Sequence, residues 1–307
     1  MTFQFQQAVR EQVSLLIALA GASGSGKTFS ALRLAQGLAP TGKIAFIDTE
    51  ARRGLHYADR FRFLHADMRP PFRPEHFVEG IRAAEAAGAE VVIIDSFSHE
   101  YDGEGGIMDW ADQLAESGVK SPGNWKEPKL AHKKMMNALL QCRASLIFCL
   151  RADEKIEIIR ENGRTQVRPL GWVPICEKRF MYEMTASFTL TPDAPGRPRF
   201  DLPHKLQEQH RAFFPEGQPI GEQCGRAIAE WARGGAPAPV AAPPADDEIA
   251  ELEATADARA EAGMAAYQAF WSGLTKAERA ALLPGHEARK AVAASVGTNE
   301  EGRQPRQ

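Results

Sequence analysis

The sequence predicts an α/β fold in which a mainly parallel central sheet is flanked by helices. Over the first two thirds of the chain, short apolar segments alternate with helical patterns, which is typical of parallel strands joined by crossover helices. The strand candidates are apolar almost throughout, as expected of strands buried on both faces. They span residues 14–20, 43–48, 91–95, 145–150 and 185–190.

The helix candidates lie between these strands. Apolar residues return at three- and four-residue spacing over 28–38, 74–87 and 127–143, which predicts amphipathic helices. Beyond the fourth strand, 155–160 and 165–168 flank Asn162-Gly163, a strong hairpin-turn signal. The sequence therefore predicts a projecting β-arm.

Composition divides the chain into four parts. Residues 1–232 are predicted to form the core, and 233–247 form a Pro/Ala-rich linker that cannot bury enough apolar surface to fold. Residues 248–295 read as a small helical module built from helices 248–262 and 265–294, and 296–307 as a disordered tail.

Charge and composition exclude several classes of protein. Hydrophobic residues make up 44% and charged residues 25% of the 307 residues, as in ordinary globular domains. The formal net charge of -3 excludes a histone-like binder, so any nucleic-acid contact needs a local basic surface. Four scattered cysteines without a CxxC pair predict reduced thiols, and no stretch reaches the roughly 18 apolar residues of a membrane span.

The strongest motif follows the first predicted strand and opens the first predicted helix. It satisfies GxxxxGK[ST] in full, a pattern whose glycines let backbone N–H groups turn toward phosphates. Lys27 is expected to reach the outer phosphates, and the Thr28 hydroxyl to ligate Mg²⁺. The sequence therefore predicts ATP and Mg²⁺ as cofactors. The predicted nucleotide-binding residues are Gly21, Ala22, Ser23, Gly24, Ser25, Gly26, Lys27, Thr28 and Phe29.

Two acidic strand ends complete the predicted site. The apolar strand that ends at Asp95 suits a Walker B carboxylate, which holds Mg²⁺ together with Thr28. Ser96 follows Asp95, so the carboxylate that activates water must come from elsewhere. Glu50 follows the strand ending at Asp48, at the sheet edge where ligands collect, and is favoured over Glu100 as the catalytic base.

The segment Ile44-Ala-Phe-Ile-Asp48-Thr49-Glu50 resembles the RecA/RadA recombinase core, whose second strand ends in F-I-D-A-E with the glutamate as catalytic base. The V-V-x-D-S ending at the Walker B strand is similar too, and the likeness spans about 14–190. The resemblance implies a RecA-like P-loop NTPase fold. It also implies a sensor of the terminal phosphate at Arg151, where bacterial RecA has glutamine.

The short core and Pro-rich linker look most like phage-encoded RecA-core ATP-binding proteins of the AAA type, some of them associated with single-strand annealing. That resemblance implies a DNA-stimulated ATPase in recombination that assembles as a ring or filament on single-stranded DNA in the host cytoplasm. The helical module is expected to recruit a recombination or replication protein. Cations completing a neighbour's site are expected among Arg197, Arg199 and Lys205.

In RecA-like cores, the loops after the Walker B and sensor strands touch DNA. Their counterparts are the Gly-rich segment 100–125 and the arm 151–168, which reads either as a phosphate-tracking arm or as a solvated arm of mixed charge. A second basic strip comprises Lys126, Lys129, Lys133 and Lys134. Two alternatives remain open: a small-molecule kinase with an Arg-rich lid at 160–168, and an assembly factor that uses ATP as a switch.

Overall fold

A computed structural model of the chain describes residues 13–161, 164–234 and 246–298. The described residues form two compact units, 13–234 and 246–298. Most of the predicted linker, the Asn162-Gly163 turn and the predicted tail beyond 298 lie outside the described residues. Within the described part of the chain, no helix is long and apolar enough to cross a membrane.

The first unit is built on one sheet, whose described strands run in the order β3-β2-β4-β5-β1-β7-β8, with β6 paired to β5. The pairs from β3 through β7 are parallel, whereas β8 and β6 are antiparallel to their partners. The predicted α/β class with a mainly parallel central sheet is confirmed. The strands are β1 Leu16–Gly21, β2 Lys43–Asp48, β3 Leu64–Asp67, β4 Ala89–Asp95, β5 Ser145–Glu161, β6 Arg164–Pro174, β7 Ala186–Leu190 and β8 Lys205–Leu206.

Helices cover both faces of this sheet, because alternate residues of a strand point to opposite sides. Ile17 and Leu19 of β1 pack in the core beneath α1 and α6, while Ala18 and Ala20 pack in the core beneath α2 and α5. The helices of this unit are α1 Lys27–Leu38, α2 Pro74–Ala86, α3 His99–Asp102, α4 Ile107–Glu116, α5 Lys126–Leu139 and α6 Glu222–Arg233.

The segment 100–125, predicted as a Gly-rich loop, contains helix α4 and the end of α3, so that prediction is wrong. Ile107 and Ala111 lie one turn apart on α4 and are both buried. The Asn124 side-chain amide donates to the carbonyl of Ala111 and holds the following turn against the helix. The glycines between 103 and 106 concealed this short amphipathic pattern.

The predicted arm is present, formed by the outer part of β5 and by β6, with Ile158 opposite Val167. Residues 145–150 and 155–160 were predicted as separate strands, but β5 runs without interruption from Ser145 to Glu161. Ile156, Ile158 and Val167 are each about 60% exposed, at 59%, 65% and 61%. The arm therefore presents apolar as well as charged side chains.

The second unit consists of helices α7 Asp246–Glu261, α8 Met264–Gly273, α9 Lys276–Leu282 and α10 His286–Thr298. Its small core contains Tyr267, Leu282 and Ala293. The single helix predicted over 265–294 is wrong, because Thr275 and Glu278 form a capping box that begins a new helix at Lys276. A 3-10 turn at Leu283–Gly285 ends that helix.

Candidate nucleotide-binding site

The predicted phosphate loop links the end of β1 to the start of α1. Gly24 and Gly26 have φ of 79° and 82°, the left-handed region that favours glycine. A Cβ on Gly26 would lie 2.8 Å from the backbone nitrogen of Gly196, so the loop also needs glycine here for close packing. The Gly196 N–H in turn donates to the carbonyl of Ser25 at 2.9 Å. The segment after β7 thus braces the phosphate loop.

Lys27 is the first residue of α1, and its ammonium folds over the loop. Its Nζ donates to the carbonyls of Gly21 and Ala22 at 2.9 and 2.8 Å. These bonds keep the charge beside the backbone N–H groups of the loop, at the N-terminus of a helix whose dipole favours anions. The arrangement suits a phosphate chain.

The Walker B aspartate lies beside this loop. Asp95 ends β4, and the Thr28 hydroxyl donates to its Oδ2 at 2.5 Å. Burial raises the pKa of Asp95 to about 6, although the hydrogen bond from Thr28 and the charge of Lys27 act to lower it. A buried carboxylate with this pKa is poorly compensated by the protein alone.

The pair fits the predicted Mg²⁺. Thr28 and Asp95 supply a hydroxyl and a carboxylate oxygen, the ligand types that Mg²⁺ prefers alongside substrate phosphates. The missing compensation for the buried Asp95 charge is what a divalent cation would provide. Elsewhere in the described chain, no cluster of three or more His, Cys, Asp or Glu residues suits a metal ion.

Two carboxylates lie at the end of β2: Asp48, which has a structural role, and Glu50, which is partly exposed. Asp48 is fully buried and accepts hydrogen bonds from the backbone N–H groups of Glu50 and Gly54, both at 2.8 Å. His65 on β3 lies 3.1 Å from the same carboxylate. A Cβ on Gly54 would come within 2.6 Å of the Phe46 ring, so the loop winds tightly around Asp48.

Glu50 is held by this loop on the wall of the same cavity as Lys27 and Asp95. Its side chain is 25% exposed, and its carboxylate lies 3.4 Å from the Arg53 guanidinium. The rival base, Glu100, is buried and pairs with His132 at 3.0 Å. Glu100 does not line the cavity, so the geometry favours Glu50.

Arg151 also reaches the cavity. It lies on β5 opposite Gly21 of β1, next to the phosphate loop. Its Nη2 donates to Asp102 on α3 at 2.6 Å, and its backbone N–H donates to the Ser98 hydroxyl. The predicted sensor position is therefore beside the nucleotide site, although Arg151 is already paired within the chain.

The cavity has a volume of about 690 Å³, within the usual range for small-molecule sites. One wall is aromatic, because Phe29 lies 6.1 Å from Tyr57 between ring centroids. Tyr57, His56 and Arg53 were not predicted; they lie on the turn after Glu50, where no sequence pattern marks them. Of the predicted residues, Gly21, Ala22 and Ser25 belong to the loop but do not line the cavity. The predicted residues that line the cavity are Ser23, Gly24, Gly26, Lys27, Thr28, Phe29, Glu50, Asp95 and Arg151.

The other predicted residues lie apart from this cavity. Arg197 donates to the Gly217 carbonyl, and Arg199 pairs with Asp193 and Asp201 at 3.3 and 2.6 Å. Lys205 donates to the Tyr182 carbonyl. The predicted lysine strip is exposed along α5. The four cysteines are free thiols, with Cys149 and Cys224 buried.

Phosphate loop, Walker B carboxylate and central parallel sheet together define a P-loop nucleoside triphosphatase. The chain belongs to the AAA domain family, which matches residues 14–191, more than half of its length. No curated protein sequence matches the chain. Among solved structures it is similar to a KaiC-like protein from the hyperthermophilic archaeon Pyrococcus horikoshii, with 16% identity, 53% of this chain and 80% of that chain covered, and a TM-score of 0.30.

Proposed function

We propose that this P-loop ATPase binds Mg-ATP and hydrolyses it with Glu50 as the general base. One observation carries the proposal: Lys27 at the start of α1, Glu50 after β2, Asp95 at the end of β4 and Arg151 on β5 line one cavity. A cavity without a carboxylate, or with its base far from the phosphate loop, would not support hydrolysis. Here the Glu50 carboxylate, the Lys27 ammonium and the two expected metal ligands all line the same cavity.

Each side chain has a distinct task. Lys27 would hold the outer phosphates, and Thr28 and Asp95 would hold Mg²⁺, which when bound neutralises charge on the phosphate oxygens. Glu50 accepts the proton of the attacking water. Arg151 is placed to stabilise charge on the terminal phosphate once its bond to Asp102 is exchanged. Phe29 and Tyr57, whose rings are tilted by 42° to one another, offer aromatic faces for the adenine ring.

We further propose that single-stranded DNA stimulates this hydrolysis, and that the protein acts in phage-type recombination or single-strand annealing. Support comes from the F-I-D-T-E and D-S strand endings in the sequence. We propose in addition that the chain assembles into a ring or filament on the DNA. The helical module 246–298 would recruit a recombination or replication protein.

The direct test is ATP turnover with and without single-stranded DNA, with Lys27→Ala as the matched control. We expect turnover that rises with DNA and is lost in the variant, because Lys27 is the cation held at the loop. Transfer of phosphate to a small acceptor in place of water would instead identify a kinase. Nucleotide binding without turnover would identify an ATP-switched assembly factor.

A further inference from the structure

The segment between β2 and α2 carries an excess of positive charge. Residues 51–73 contain six arginines and no lysine, against Asp59 and Asp67, which gives a formal charge of +4. The whole chain carries -3, so the remainder carries -7. The sequence predicted basic surfaces on the arm and on α5, but not on this segment.

Five of these arginines are exposed, and they flank the edge strand of the sheet. Arg62 precedes β3 and Arg69 follows it, so the pair brackets a strand of about 13 Å. The other three lie on the connection from β2 to β3. The exposed residues are Arg52, Arg53, Arg60, Arg62 and Arg69.

Most of this positive charge is not neutralised by buried ion pairs within the protein. Among the described residues, Arg52 and Arg62 have no ion-pair partner. The Arg53 and Arg69 side chains are 75% and 81% exposed, although they pair with Glu50 and Asp67. Exposed pairs of this kind contribute little stability. Arg60 lies over the Phe29 ring at 5.0 Å but stays exposed, whereas Arg73 stacks over Trp110 at 4.1 Å and is partly buried.

The backbone that presents the first two arginines is firmly held. Ala51 and Arg52 have φ of 54° and 68°, a left-handed conformation that costs roughly 1–2 kcal/mol per non-glycine residue. The buried Asp48 carboxylate fixes this turn through the N–H groups of Glu50 and Gly54. A turn held in this way orders its arginines before any ligand arrives.

We propose that this arginine edge, defined as the five exposed arginines around β3, binds the phosphodiester backbone of a nucleic acid. Guanidinium groups pair with phosphates through two parallel hydrogen bonds, a geometry that they also use with carboxylates. No Phe, Tyr or Trp of segment 51–73 is fully exposed for base stacking, so we expect contact with the backbone that is independent of sequence. The inference deepens the DNA part of the proposed function and is independent of the ATPase assignment.

The test is binding of a fluorescent single-stranded oligonucleotide, measured by anisotropy at several salt concentrations without ATP. The variant Arg62→Ala/Arg69→Ala removes two charges outside the cavity. Its control, Lys155→Ala/Arg168→Ala, removes two charges from the arm. We expect the first pair to raise Kd about tenfold and to reduce the slope of log Kd against log salt by about 1.4, while the control changes Kd less than twofold. Basal turnover and melting temperature should stay unchanged in both.

Equal weakening in both variants, or weakening in the arm variant alone, would overturn the assignment. So would competition by polyglutamate as effective as that by unlabelled oligonucleotide, since the edge would then fit an acidic protein. Failure of the ATPase is seen separately: binding at the arginine edge without any stimulation of turnover would refute DNA stimulation and leave this inference standing.

Discussion

The Thr28 hydroxyl and the Asp95 carboxylate, 2.5 Å apart, join the first turn of α1 to the end of β4. This contact brings together the two oxygen ligands expected for Mg²⁺, from segments 67 residues apart in sequence. It also leaves Asp95 buried, with a pKa raised to about 6 by desolvation. The site is therefore arranged for a metal ion at some expense to the nucleotide-free protein.

We expect Asp95→Asn to lower turnover on the order of a hundredfold or more, since it removes the anionic metal ligand. The nucleotide-free variant should be at least as stable as wild type at pH 7.5. The raised folded pKa means that protonated Asp95 contributes stability below its ordinary value of 3.8, and that this contribution is lost as pH rises through about 6. Melting curves at pH 5 and 7.5 should show the gain of the variant growing with pH.

Normal turnover of Asp95→Asn, or a melting temperature well below wild type at pH 7.5, would contradict this account. Glu90→Gln is the matched control on the same strand, because Glu90 is an exposed carboxylate of β4 that does not line the cavity.

Replacing the proposed base tests the next assignment. Glu50→Gln should keep ATP affinity and slow hydrolysis about a hundredfold or more, the range for loss of general-base assistance. Glu100→Gln should leave turnover near wild type, because Glu100 is buried against His132 away from the cavity. Single-turnover rates and nucleotide titrations of both variants are the measurement. The reverse pattern would transfer the role of base to Glu100.

The P-loop, Asp95 and Glu50 could be predicted because each lies in a short sequence pattern whose residue types suit phosphate, metal or proton chemistry. Asp95, Glu50 and most residues of the P-loop line the cavity. It did not reveal that Asp48 is structural, since only the fold shows its carboxylate wrapped by the backbone of the following turn. Tyr57 was missed because loop geometry brings it to the cavity. Arg151 was predicted from the family resemblance, and the parallel pairing of β5 with β1 brings it beside the loop. The edge strand β3 was missed because it is short and mostly exposed.

Another prediction concerns the support of the P-loop helix. Arg33 on α1 and Glu222 on α6 form a bidentate contact, with the shortest distance 2.6 Å. The hydrogen bond from Arg33 lowers the pKa of Glu222, so this carboxylate contributes stability above its ordinary pKa of 4.5 and loses it as pH falls through the lower folded value. Glu222→Gln should cost about 0.5–1 kcal/mol at pH 7, discounted for partial exposure.

Urea unfolding at pH 7 and near pH 3 measures this effect. The difference between wild type and Glu222→Gln should shrink at the lower pH, because protonation removes the charge in wild type. Glu230→Gln on the exposed face of α6 is the control and should change little at either pH. A constant difference across the pH range would mean that packing, and not the ion pair, is lost.

The last prediction concerns assembly. Hydrolysis of a phosphoanhydride is assisted by a cation near the terminal phosphate, and Arg151 is bound to Asp102 in the single chain. If a neighbouring subunit completes the site, specific activity should rise with protein concentration in the presence of ATP and single-stranded DNA. A sharper test mixes two inactive proteins: Lys27→Ala, and a triple alanine variant of Arg197, Arg199 and Lys205. Activity should return on mixing, because intact loops from the second protein then meet intact cations from the first. Sedimentation should show oligomers under the same conditions. Monomers with turnover per subunit independent of concentration, and no recovery on mixing, would refute the shared site and leave the ATPase assignment standing.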